Sequence, residues 1–98
     1  MPNFHSASID RLFRAVSLLK DEAECAAFLE DLCTIAELQD MAQRLDAAIL
    51  LSQGKNYQEI SKEVGVSTAT ISRVRKCVSY GSGGYETVIG RLEKEKTP

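Results

Sequence analysis

Apolar residues return along most of this chain every three or four positions, the period of an α-helix with one buried face. Ile9, Leu12, Phe13, Val16 and Leu19 set the first such stretch and predict a helix near residues 8–20. Ala26, Phe28, Leu29 and Leu32 predict a second near 22–32. Asp21, Glu22 and Glu24 at its start suit the positive end of a helix dipole. Thr34 and, three residues later, Glu37 have the spacing of a capping box, in which two otherwise unpaired backbone N–H groups are satisfied. Ile35, Leu38, Met41, Ala42, Leu45, Ala48 and Ile49 carry the third helix onward, and Gly54 stands where a left-handed residue would stop it. Asn56 is placed to cap a fourth helix over 57–64, ended by Gly65, and Ser67 to cap a fifth over 68–78. SYGSGGY then marks a flexible break. Val88, Ile89 and Leu92 predict a last helix over 85–95. Val64 and Val66 flank a glycine and are too few to form a strand. The expected fold class is all-α, with about six helices.

The fourth and fifth predicted helices, with Gly65 between them, meet the demands of a helix-turn-helix. Ile60 and Val64, four apart, face the second helix; Gly65 takes a positive φ without steric cost, and Val66 plugs the turn. Ser61 lies where the helices cross and a small residue is favoured, although alanine is commoner there. On a wheel of about 100° per residue, Ile71, Val74 and Val78 form the inward stripe. The opposite face holds Ala69, Ser72, Arg73 and Lys76, with Thr68 at the exposed amino-terminal end. Short side chains there let a helix enter a major groove about 12 Å wide, where hydroxyls reach base edges and Ala69 meets a thymine methyl. Ser67, Thr68, Ala69, Thr70, Ser72, Arg73, Arg75 and Lys76 are thus the expected DNA-binding residues, the basic ones late in the helix contacting phosphates. The bland alternative is a helix pair that packs only protein and presents a solvated basic face.

The charge distribution favours the first reading. Net charge is −2, but residues 1–54 carry 4 basic and 9 acidic groups, whereas residues 55–77 carry 5 basic and 2 acidic. A positive segment on an acidic body is a local electrostatic footprint that the total hides. The composition, 44% hydrophobic and 27% charged, is that of an ordinary soluble globular chain, with no membrane-length apolar run. The first residues, MPNFHSASID, lack the pattern of a secretory leader, so a cytoplasmic location is expected. At 98 residues a monomeric core is modest, which favours burial through self-association.

GVSTATISR resembles the turn and recognition helix of the Trp repressor family, and CTIAELQDMAQRL is similar to that family's third-helix entry. The resemblance covers residues 30–78 well and the ends poorly. LKDEAEC, DLCTIAE, AQR, STATISRV and a C-x-x-YG ending look closer still to the YerC/YecD-type branch. It implies an intertwined, Trp repressor-like homodimer. Each chain would be a single domain over 1–98: residues 1–54 as a helical dimerisation core, 57–78 as the helix-turn-helix and 85–95 as a carboxy-terminal helix. Thr34, Arg44 and Arg73 fall on the family's ligand-pocket positions. In tryptophan-responsive members a glycine follows the pocket arginine; here Val74 follows Arg73, and Cys77 replaces a seryl hydroxyl. The expected effector is therefore not tryptophan, or there is none. Two guanidinium groups would still favour a small anion, unless Arg44 pairs with Asp40 or Glu37.

The expected function is a transcriptional regulator, by resemblance a repressor, binding a pseudo-palindromic double-stranded DNA operator as a homodimer. The alternative is a protein–protein interaction adaptor that keeps the fold without reading an operator. No enzyme, cofactor or metal site is expected. Cys25, Cys33 and Cys77 include no CxxC pair and are expected to be buried small hydrophobes. His5 is expected in a frayed tail with nothing to orient it toward Cys33 as a thiol–imidazole pair. GSGG at 81–84 lacks the ending of a phosphate loop and reads as a linker. Tyr57 is expected to pack rather than to touch a phosphate.

Overall fold

The computed structural model describes residues 5–96. Among them are six α-helices and no strand: α1 (Ala7–Ser17), α2 (Glu22–Leu32), α3 (Ile35–Ser52), α4 (Tyr57–Val64), α5 (Thr68–Tyr80) and α6 (Gly84–Lys96). Residues 1–4, part of the stretch inspected for a leader, lie outside the described residues, as do 97 and 98. The chain divides into two compact units between Leu38 and Gln39.

In the first unit, caps define the helices more clearly than packing does. Ser6 accepts from the Ile9 N–H at 3.1 Å to start α1, and Asp21 accepts from the Glu24 N–H at 2.8 Å to start α2. α1 ends at Ser17, three residues short of the expected boundary. The cause is the next cap: Asp21 is extended, and the Lys20 N–H is taken by the Glu24 carboxylate at 2.9 Å, so the chain leaves the helix before them. His5 is not loose. Its Nδ1 lies 2.6 Å from Asp10 Oδ1 and its ring meets Phe13 edge-on, so α1 orients it and Cys33 does not. The Thr34–Glu37 capping box forms in both directions, at 2.8 and 3.1 Å. The Thr34 backbone N–H first, and its side chain second, hold the exposed Glu37 carboxyl below the ordinary 4.5.

Neither α1 nor α2 buries a single residue. Phe13, Leu18, Leu32 and Ile35 are more than half exposed, and Leu12 and Val16 are exposed beside them. Their amphipathic pattern has no interior to face within the unit.

The second unit has a core. Ala47, Ala48 and Leu51 of α3, Ile60 of α4, Ile71 and Val74 of α5, and Ile89 of α6 are buried together. Tyr57, Val64, Val66, Val78 and Tyr85 pack against them, which gives Tyr57 the packing role expected of it. The end of α3 is set by Gly54, with φ of 82°. Its N–H reaches Leu51 O at 3.1 Å and the Lys55 N–H reaches Leu50 O at 3.1 Å, the paired bonds of a Schellman ending. α5 runs two residues beyond expectation, because Ser79 and Tyr80 tolerate helix and the true stop is Gly81. A Cβ at Gly81 would overlap the Cys77 carbonyl oxygen. The cysteine expectation needs correction: Cys25 and Cys33 are only half-buried and Cys77 is exposed, so none is a core residue. Cys77 lies on α5 three residues after Val74, off the stripe that continues at Val78.

Two measurements check these local causes. Gly65 also has φ of 82°; Gly65→Ala forces a side chain into the left-handed region and should cost about 1–2 kcal/mol in urea unfolding. For Glu37, a folded pKa below the unfolded value means a contribution present above 4.5 and lost as pH falls through the lowered value. Wild type should therefore melt above Glu37→Gln near neutrality, and the gap should close on acidification below that value.

Candidate nucleic-acid interface and the adjoining cavity

The site is assembled from α4, the turn after it and α5. Asn56 starts α4 through a full capping box: its Oδ1 accepts from the Glu59 N–H at 2.9 Å and Glu59 Oε1 accepts from the Asn56 N–H at 3.2 Å. The Asn-x-x-Glu spacing was present in the sequence, yet only the asparagine half had been anticipated. Gly65 closes α4, its N–H donating to Ser61 O at 2.9 Å. Ser61 Oγ donates to Val66 O at 2.6 Å, so serine rather than alanine at the crossing has a local reason. Ser67 Oγ accepts from the Thr70 N–H and donates to Thr70 Oγ1, both at 3.1 Å, which starts α5.

From that start, α5 sorts its side chains into two faces. Ile71 is fully buried, Val74 is 3% exposed and Val78 is half-buried. Thr68, Ala69, Arg73, Arg75 and Lys76 are exposed, and Thr70 and Ser72 are half-buried. The eight residues expected at a DNA surface thus lie on one continuous segment, with Ala69 open to solvent and Ser72 partly so. Their tasks differ: the Ser67 and Thr70 hydroxyls are engaged with each other at the cap, which leaves Thr68, Ala69 and Ser72 as the short side chains free to touch another molecule. No acid interrupts α5, and no ion pair among the described residues engages Arg73, Arg75 or Lys76.

Behind α5 lies a cavity of about 430 Å³. α5 supplies Thr70, Arg73, Val74 and Cys77; α3 supplies Asp40, Gln43 and Arg44; Val66 and Tyr85 complete it. Arg44 and Arg73 therefore line one space, and neither makes an ion pair with a described residue, Asp40 and Glu37 included. Thr34 belongs to the first unit, where its hydroxyl accepts from the Glu37 N–H. Sequence reading anticipated the two arginines, Val74 and Cys77 but missed Gln43 and Tyr85. Tyr85 follows a glycine-rich break whose path no helical period dictates. No cluster of His, Cys, Asp or Glu among the described residues has a metal-binding arrangement, and no helix there is long and apolar enough to cross a membrane.

An all-α chain whose exposed, acid-free helix follows a glycine turn has the form of a helix-turn-helix protein. Comparison with known proteins agrees: residues 7–93 match the family model described as Trp repressor protein. The chain belongs to the Trp repressor family, a family of DNA-binding regulators. It is 47% identical over 89 residues to the uncharacterized protein YerC of Bacillus subtilis (strain 168), covering 91% of this chain and 86% of that one. A TrpR-like protein of Eubacterium eligens superposes with a TM-score of 0.84 at 41% identity, over 90% of this chain and 91% of the other. A putative Trp repressor of Staphylococcus aureus superposes equally well, TM-score 0.84, at 40% identity over 91% and 89% of the two chains.

The division of tasks along α5 has a measurable consequence. Ser67→Ala removes the cap and should lower stability by about 1 kcal/mol in urea unfolding. Thr68→Ala, which removes an exposed side chain with no hydrogen-bond partner among the described residues, should stay within about 0.5 kcal/mol of wild type.

Proposed function

We propose that this protein is a sequence-specific, DNA-binding transcriptional regulator, acting in the cytoplasm as a homodimeric repressor on a pseudo-palindromic operator. The observation that carries this reading is the composition of the exposed face of α5. Thr68, Ala69 and Ser72 are short enough for close approach to base edges, and the exposed Arg73, Arg75 and Lys76 follow them with no acid on the helix. An adaptor that packs only protein has no need of that arrangement.

Self-association is supported separately. α1 and α2 bury nothing in one chain and expose Leu12, Phe13 and Val16 together with Leu18 and Leu32. A second copy is the cover that the family resemblance implies, with residues 1–54 forming the dimerisation core and 57–78 the reading head. Two heads on one duplex would address half-sites about 34–36 Å apart.

The effector reading concerns Arg44 and Arg73. Arg44 from α3 and Arg73 from α5 line the same cavity with a single carboxylate, Asp40, and neither is ion-paired to a described carboxylate, which suits a small carboxylate or phosphate. Tryptophan does not fit this reading: Val74, at 3% exposure, is both a core residue and part of the cavity wall, so it occupies space that a glycine would leave for an indole.

Three measurements test this reading. Light scattering gives a dimer at micromolar concentration; a lone subunit removes the two-headed reading. A DNA shift assay against a random duplex pool enriches a two-fold symmetric sequence. Binding weakens steeply with salt, and Arg73→Ala/Lys76→Ala loses affinity by at least about tenfold while remaining dimeric; indifference to both substitutions favours the adaptor. Calorimetry with tryptophan gives no binding heat, and tight binding would overturn the placement of Val74.

A further inference from the structure

Ser61 touches the turn at both ends. Its carbonyl accepts from the Gly65 N–H at 2.9 Å, and its hydroxyl donates to the Val66 carbonyl at 2.6 Å in a half-buried setting. Val66 directly precedes Ser67, whose hydroxyl receives the Thr70 N–H and so sets the first turn of α5. Two hydrogen bonds thus run in series, from α4 through the Val66 peptide plane to the start of α5. The Ser61–Val66 bond is the one side-chain hydrogen bond between α4 and the turn among the described residues. The core these helices share is apolar, with Ile60, Ile71 and Val74 buried together, and apolar packing is non-directional. A hydrogen bond is directional, and this one fixes the plane of the peptide from which α5 departs.

We infer that Ser61, which lies off the exposed DNA-facing side of α5, is a positioning residue for sequence reading: it holds the angle at which Thr68, Ala69 and Ser72 approach the bases. The inference rests on the DNA-reading function proposed above. Losing the bond leaves Arg73, Arg75 and Lys76 as they are, because a phosphate contact tolerates a small tilt of a long, flexible side chain. The short side chains have no such reach. Ser61→Ala therefore loses selectivity rather than attraction, which separates it from substitution of the basic residues.

The test compares two duplexes of equal length, one selected from a random pool by the wild-type protein and one scrambled from it. Affinities are measured by fluorescence anisotropy over a range of salt concentrations. In Ser61→Ala the Kd for the selected duplex should rise about tenfold, the scale of a lost base contact, while the Kd for the scrambled duplex and the salt slope stay at wild-type values. Ile60→Val, which loosens the same core without touching the hydrogen bond, should leave the ratio of the two affinities unchanged. Equal weakening on both duplexes, an unchanged ratio in Ser61→Ala, or an equal loss of ratio in Ile60→Val overturns the positioning role while leaving the regulator reading intact. Failure of the wild type to select any sequence overturns the DNA reading itself, and the role of Ser61 with it.

Discussion

Among the described residues, Ile60 and Ile71 are the two large side chains completely withdrawn from water, one on each side of the Gly65 turn. Burying each contributes about 1.5–3 kcal/mol, and the arrangement of the second unit follows from their need for a common interior. Ala47 and Ala48 of α3, also fully buried, are small enough to let α4 and α5 come close. Val74 and Ile89 close the remaining sides. With Ile71 and Val74 committed inward, the period of the helix leaves Thr68, Ala69, Arg73 and Lys76 little choice but to face outward. The exposed face of α5 is thus a by-product of its buried one.

The same commitment shapes the cavity behind α5. Val74 serves the core and the cavity wall at once, and Arg73, one residue earlier, borders the cavity while remaining exposed. A molecule in that space would touch the helix that carries the short outward side chains. It would also meet α3 through Arg44, so α3 and α5 share whatever occupies the space between them.

Much of this was legible in the sequence, and the reasons differ by element. α2 and α4 fall on their expected boundaries because each carries a strong cap, Asp21 and Asn56, in front of its first turn. α1 was overrun because periodicity alone set its end, and Leu19 continues the period although the Asp21 cap forbids it helical backbone. The expected end of α5 falls short because the break begins, in composition, at Ser79, whereas the helix itself stops at Gly81, where a Cβ would overlap the Cys77 carbonyl oxygen. Ile71, Val74 and Val78 followed from spacing, since burial at one face of a helix is a local rule. The Ser61–Val66 bond and the place of Tyr85 were invisible, because both depend on how the chain turns between helices. Cys77 misled because cysteine's tendency to be buried is an average over proteins, and the position on the helix overrides it.

The bare surfaces of α1 and α2 bear on how much of this protein is ever active. Each helix has 11 residues and no buried side chain, a length at which isolated helices are marginal in water, about 12–15 residues being the threshold even for favourable sequences. Their order must be supplied by whatever covers them. With a second copy as the cover, as proposed, folding and pairing become one event governed by mass action. Under that reading dilution would melt the amino-terminal helices instead of merely separating subunits, and would expose them to proteolysis. The chain would measure its own abundance, disappearing quickly when scarce and persisting when plentiful.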